Sequence, residues 1–135
     1  RPRTLGDTKK ILIVDPDQVH AAGLKQAFEE RGHHAELAFT SSQAFPSFEF
    51  FQPDLVILEV MLESHDAGFH LLRRIRRHPL LGPTPVFVLT AVAEKTGTRV
   101  SLEQDGYWMK ADDYAEKPLA LEDVLSRAEA LLSRK

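Results

Sequence analysis

Three short runs of consecutive apolar residues punctuate the chain: Ile11-Leu12-Ile13-Val14, Leu55-Val56-Ile57-Leu58 and Val86-Phe87-Val88-Leu89. Each ends at a polar residue, Asp15, Glu59 and Thr90 in turn, and Pro53 and Pro85 stand just ahead of the second and third. Uninterrupted runs of this length suit strands covered on both faces, as in a parallel sheet. Weaker strands are expected at Ala35–Ala38 and around Tyr114-Ala115-Glu116. Between the runs the apolar spacing becomes helical. Gln18–Arg31 places Leu24, Ala27 and Phe28 on one face and stops at Gly32. Ser41 or Ser42 is expected to cap a short helix through Phe48, with Pro46 tolerated only in its first turn. Phe69–Arg77 turns Leu71, Leu72 and Ile75 inward and its arginines mostly outward, ending near Pro79. Leu121–Ser133 shows the clearest helical period, although Ala120 stands where Ser or Asp would cap it.

Strands alternating with helices predict right-handed crossovers and an α/β fold, a doubly wound parallel sheet with helices on both faces. In such sheets functional groups gather beyond the C-terminal strand ends, near the point where strand order reverses. That rule selects Asp15 and Asp17, Glu59, Thr90 and, after the last strand, Lys117.

Composition narrows the classes. The 135 residues suffice for one domain, and 43% hydrophobic with 27% charged residues is ordinary for a globular chain. We expect a loose tail at residues 1–9 and one domain over 10–135, without internal repeats. The absence of cysteine excludes disulfide scaffolds, thiolate metal sites and thiol catalysis. No apolar run reaches the length of a membrane span, so a cytoplasmic domain without membrane contact is expected. Residue 1 is Arg rather than Met, which points to a piece of a longer product. A formal net charge of −3 gives no reason to expect nucleic acid, and Arg73-Arg74-Ile75-Arg76-Arg77 reads as a solvated helix face. Ser64-His65-Asp66 has the letters of a hydrolase triad, but consecutive residues cannot converge in that geometry. The six histidines show no paired metal spacing, and His33-His34 is expected in a turn after the first helix.

Taken in order, these residues resemble the receiver domain of two-component response regulators. A strand ends in Asp15; another ends in the acidic Glu59, followed by an Asp66-Ala67-Gly68 turn into a helix. Thr90-Ala91 closes the fourth strand, and Ala111-Asp112-Asp113-Tyr114 leads through Glu116 to Lys117-Pro118. The similarity spans about Lys10 to Leu132 and implies a five-stranded parallel sheet of order 2-1-3-4-5, a flavodoxin-like three-layer sandwich. It further implies that an aspartate after the third strand accepts a phosphoryl group from a histidine kinase. Two acids after the first strand would hold Mg²⁺, a threonine and a lysine (here Thr90 and Lys117) would contact phosphoryl oxygens, and an aromatic, here Tyr114, would report the state. Such chemistry needs a cation and fixed donors to neutralise developing charge.

The chain departs from that pattern at its centre. The acceptor position holds Glu59, whose extra methylene carries the carboxylate roughly 1.5 Å further out. A misplacement of about 1 Å can cost about 10²-fold in a positioned reaction. Pro16 stands where the second Mg²⁺ acid is expected, leaving Asp15 and Asp17 as a weakened cation site. The resemblance therefore implies a degenerate, phosphorylation-independent pseudo-receiver, not an enzyme, that acts by protein–protein interaction. Its partners would be a histidine kinase, an effector domain or a second copy, and Glu59 would either imitate the phosphorylated state or mark a lost site. Two alternatives stay open: a working acceptor using Glu59 or Asp17 with Mg²⁺, and a small-molecule-binding pseudo-receiver. A direct Glu59–Lys117 ion pair would disfavour both. The stretch from Thr90 to Lys117 is longer than the family usually shows, and Tyr107 and Trp108 within it are candidate interface anchors.

Overall fold

Strands form where the apolar runs lie: β1 (Lys10–Val14), β2 (His34–Ala38), β3 (Leu55–Leu58), β4 (Val86–Thr90) and β5 (Asp113–Glu116). The computed structural model describes residues 8–64, 66–91 and 110–134. All adjacent strands pair in parallel in the order β2-β1-β3-β4-β5, as the sequence reading expects. The helices among the described residues are α1 (Gln18–Glu30), α2 (Ser41–Phe51), α3 (Ala67–Arg77) and α4 (Leu121–Leu132).

The alternation of side chains along each strand divides the core in two. Ile11, Ile13, Leu55, Ile57, Phe87, Leu89 and Ala115 face α1 and α4, where they meet Leu24, Phe28, Val124, Leu125 and Leu131. Leu12, Val14, Val56, Leu58, Val86 and Val88 face α2 and α3, against Phe48, Leu71, Leu72 and Ile75. Both faces of the central strands are covered, which is why their sequence shows no polar alternation.

Local signals set the helix ends. α1 closes with a pair of hydrogen bonds, from Gly32 N–H to Glu29 O (3.0 Å) and from His33 N–H to Phe28 O (3.1 Å). Gly32 sits at φ 89°, a conformation that costs a residue without Cβ little. α2 differs from the sequence reading. Its cap is Thr40 rather than Ser41 or Ser42, and it continues past Phe48 to Phe51 with Pro46 in the second turn. Thr40 Oγ1 accepts from Gln43 N–H at 3.2 Å, while Gln43 Oε1 accepts from Phe39 N–H at 2.9 Å, a reciprocal cap across Thr40-Ser41-Ser42-Gln43. Thr40→Ala should therefore lower the unfolding free energy by about 1 kcal/mol, read as a shift in urea midpoint at unchanged slope. α4 has no side-chain cap at Ala120, as expected; Glu122 and Asp123 in its first turn complement the helix dipole instead.

Two residues hold the connections that flank the site. Gly68 opens α3 directly against β3's exit: a Cβ there would lie 2.2 Å from Val60 Cα and 2.4 Å from Val60 O. Arg76 is the exception in a basic run expected to face mostly outward. Arg73, Arg74 and Arg77 are exposed, but Arg76 turns inward. It donates to Lys110 O (2.9 Å), Gly82 O (2.9 Å), Thr84 O and Asp112 Oδ2 (2.7 Å), pinning the start of β5 to the end of α3.

Candidate functional site

The strand register brings the polar residues together. Val14 pairs with Leu58, so Asp15 and Glu59 leave β1 and β3 side by side. Continuing the alternation of Ile13, Ile57 and Ala115, the residues Asp15, Glu59 and Lys117 all fall on the α1/α4 side. β4 runs on to Thr90, which pairs with Glu116, and Lys117 N–H then donates to Thr90 O at 2.7 Å. Four of the five residues selected from the sequence, Asp15, Glu59, Thr90 and Lys117, are thereby gathered at one rim. Asp15 and Glu59 are each 3% exposed and Thr90 is fully buried.

Every described contact of the Glu59 carboxylate is a donor. Oε1 accepts from Ala91 N–H at 3.0 Å and lies 3.2 Å from Lys117 Nζ. Oε2 accepts from Met61 N–H at 3.0 Å and from the Thr90 hydroxyl. The two backbone amides were not legible in the sequence, because a main-chain N–H carries no side-chain signature. The Met61 amide belongs to the turn held by Gly68, whose N–H donates to Val60 O at 2.9 Å, and the Ala91 amide directly follows β4.

Asp15 is equally occupied. Its Oδ2 receives Lys117 Nζ at 2.6 Å and His20 Nδ1 at 3.0 Å, and its Oδ1 accepts from Asp17 N–H at 2.9 Å. Burial opposes the charge on Asp15. The bonds from His20, Lys117 and the Asp17 amide, with the Lys117 charge, outweigh it and hold the carboxyl below its ordinary value. Burial likewise opposes the Lys117 charge, and Asp15 and then Glu59 overcome it, raising the ammonium above its ordinary value. Asp17 acts as the N-cap of α1, its Oδ1 accepting from His20 N–H at 3.1 Å. Beside these groups lies a cleft of about 300 Å³ lined by Asp15, Pro16, Asp17, His20, Glu59 and Lys117, with apolar residues of β4 and the β5–α4 turn.

His20 is the site residue that sequence reasoning missed. Five positions after Asp15 it has no metal-like spacing, and in the first turn of α1 its ring lies against the carboxylate. His33 lies in the turn after α1, as expected, but its ring is buried. Its Nδ1 accepts from Lys9 N–H at 3.1 Å and its Nε2 lies 3.2 Å from Glu129 on α4, while His34 opens β2. His78 closes the turn after α3 by accepting from the Leu80 and Leu81 amides. Tyr114 lies on β5, half-buried against the α2/α3 side of the core. Tyr107, Trp108 and His65, together with residues 1–7 of the expected tail, lie outside the described residues.

The family profile described as the response regulator receiver domain matches residues 11–129. The transcriptional regulatory protein TrcR of Mycobacterium tuberculosis is 33% identical over 132 residues, 98% of this chain and 48% of its own. The response regulator MprA of Mycolicibacterium vanbaalenii is 35% identical over 125 residues, 93% of this chain and 51% of its own. The chain thus spans about half the length of the curated relatives it matches. Among solved structures, the non-phosphorylated HemR receiver domain from Leptospira biflexa superposes with a TM-score of 0.80 at 28% identity, covering 94% of this chain and 96% of that one. A profile match over nearly the whole sheet, on strands in the order 2-1-3-4-5, means that the chain belongs to the response regulator receiver domain family.

Proposed function

We propose that this receiver domain, residues 10–135, signals without accepting a phosphoryl group, and that Glu59 supplies a built-in negative charge at the acceptor position. The domain then works by protein–protein contact rather than catalysis, with an effector domain, a kinase or a second receiver as partner, in the cytoplasm. One observation carries the reading: the Glu59 carboxylate already engages the Thr90 hydroxyl, the Met61 and Ala91 amides and Lys117. Thr90 and Lys117 are the groups that the family resemblance assigns to phosphoryl oxygens, so the side chain satisfies them in advance. It does so with one negative charge where a phosphoryl group brings about −1.5 to −2, which makes it a partial mimic. The direct ion pair to Lys117 also counts against an open acceptor or ligand seat at this carboxylate.

Intact mass after incubation with Mg²⁺ and acetyl phosphate tests the first half. The parent should gain no phosphoryl mass, whereas Glu59→Asp combined with Pro16→Asp and His20→Ala, which supplies both aspartates and frees the Asp15 oxygen that His20 contacts, should gain it. Phosphorylation of the parent overturns the reading. Glu59→Gln tests the second half, since it removes the charge at nearly constant shape. Amide resonances of Thr90, Ala91 and Tyr114 should move together; if Tyr114 stays in place, Glu59 holds no state and merely fills a disused site.

A further inference from the structure

Family membership implies a divalent cation at the acids that follow β1, and the residues present do not fit that ion. Mg²⁺ demands near-octahedral oxygen ligands at about 2.0–2.1 Å, one or two of them carboxylates with lone pairs turned to the metal. Pro16 offers no side-chain oxygen. Asp15 has committed Oδ1 to the Asp17 amide and Oδ2 to both Lys117 and His20. Asp17 gives Oδ1 to the cap of α1, and both oxygens of Glu59 are taken by donors. Among the described residues no three His, Asp or Glu side chains are arranged to hold a metal ion.

We propose that His20, together with Lys117, stands in for the divalent cation at Asp15, so that this acidic rim is neutralised by protein groups alone and rejects Mg²⁺. The two residues approach the same oxygen, Oδ2, from α1 and from the end of β5, at 3.0 Å and 2.6 Å. A carboxylate only accepts, so the imidazole presents its Nδ1–H to Asp15. The ring is not a loose surface group that happens to touch an acid. Its backbone N–H is held by the Asp17 cap while its side chain is held by Asp15, two restraints from consecutive parts of the same turn. A metal ion at Oδ2 would have to displace His20 and then sit beside the Lys117 ammonium. Pro16 and His20 therefore act in the same direction, one offering no ligand oxygen and the other occupying an oxygen of Asp15. His20 is here a positioning residue: it fixes the Asp15 carboxylate, which fixes Lys117 against Glu59.

This inference rests on the reading of Glu59 as the acceptor position but is measured separately from it. The probe is Mn²⁺, followed by paramagnetic broadening of the Asp15, Asp17 and Ala91 amide signals and by calorimetry. In the parent, broadening should be absent or non-saturable up to about 10 mM, beyond the weak millimolar end of oxygen-ligand sites. Pro16→Asp with His20→Ala should bind at about 1 mM, and Pro16→Asp with His20 intact at least about 10-fold more weakly. Pro16→Asp with His20→Asn, whose amide can still donate to Asp15, should remain weak. Saturable millimolar binding by the parent overturns the proposal, and this measurement needs no variant to fold. Equal affinity with and without His20 in the Pro16→Asp background overturns it as well. Metal binding by a parent that still gains no phosphoryl mass would refute the His20 role alone and leave the proposed function standing.

Discussion

Lys117→Met lowers the unfolding free energy by about 3–5 kcal/mol at pH 7, the range for removing one partner of a buried ion pair. The size follows from what remains. Asp15 and Glu59 stay nearly inaccessible to water and lose a shared cation at 2.6 Å and 3.2 Å, with His20 and the Asp17 amide left beside Asp15. The pH dependence has a definite sign. In the parent, Asp15 is depressed, so its contribution is present above about pH 3.9 and is lost as pH falls through the lower folded value. Lys117 is raised, so its contribution is present below about pH 10.4 and is lost as pH climbs through the higher folded value. The parent is therefore most stable between those limits. Without Lys117, Asp15 takes up a proton more readily in the folded state, and the deficit narrows as pH is lowered from 7. Urea titrations at pH 7 and pH 5 check this; a gap of the same size at both would contradict the buried-pair account.

Gly68→Ala costs about 3 kcal/mol, the upper part of the range for overpacked sites, because the colliding atoms are backbone. The new methyl group would meet Val60 Cα at 2.2 Å and Val60 O at 2.4 Å, with no rotamer able to relieve the clash. Val60 directly follows Glu59, so the displacement also pulls the Met61 amide from the carboxylate it serves. Two readouts should change together: the urea midpoint, and faster hydrogen exchange at Met61 and Gly68. Loss of stability with Met61 exchange unchanged would mean that α3 moves and the site does not. Glu59 would then be independent of the helix that follows it.

The layered sheet was legible because burial on both faces writes itself into sequence as unbroken apolar runs. Ile11–Val14, Leu55–Leu58 and Val86–Leu89 needed no tertiary knowledge to be read as central strands. Lys117 was legible through its place after the last strand, and Asp15, Glu59 and Thr90 as the polar stops of the runs. The cap of α2 shows the opposite case. Thr40, Ser41 and Ser42 are all competent caps, and the choice fell to Thr40 because Gln43 reaches back to the Phe39 amide. Arg76 looked like its neighbours in a run of four arginines, and its partners come from the turn at Gly82–Thr84 and the returning chain at Lys110–Asp112.

By itself, then, the sequence determined the strand order's class, the two-faced core and the identity of the acids, hydroxyl and lysine at the rim. These properties depend on periodicity and on which residues end a strand, both of which are local. Tertiary structure alone decided what those groups do to one another. The Met61 and Ala91 amides reach Glu59 because of how the turns fold, and His20 reaches Asp15 because Asp17 starts α1 where it does. Hydrogen bonds between residues far apart in the chain, or made by backbone atoms common to every residue, leave no pattern in the order of side chains. The contact of His20 Nδ1 with Asp15 Oδ2 at 3.0 Å is local in the chain, yet it too is set by approach distance rather than by any motif.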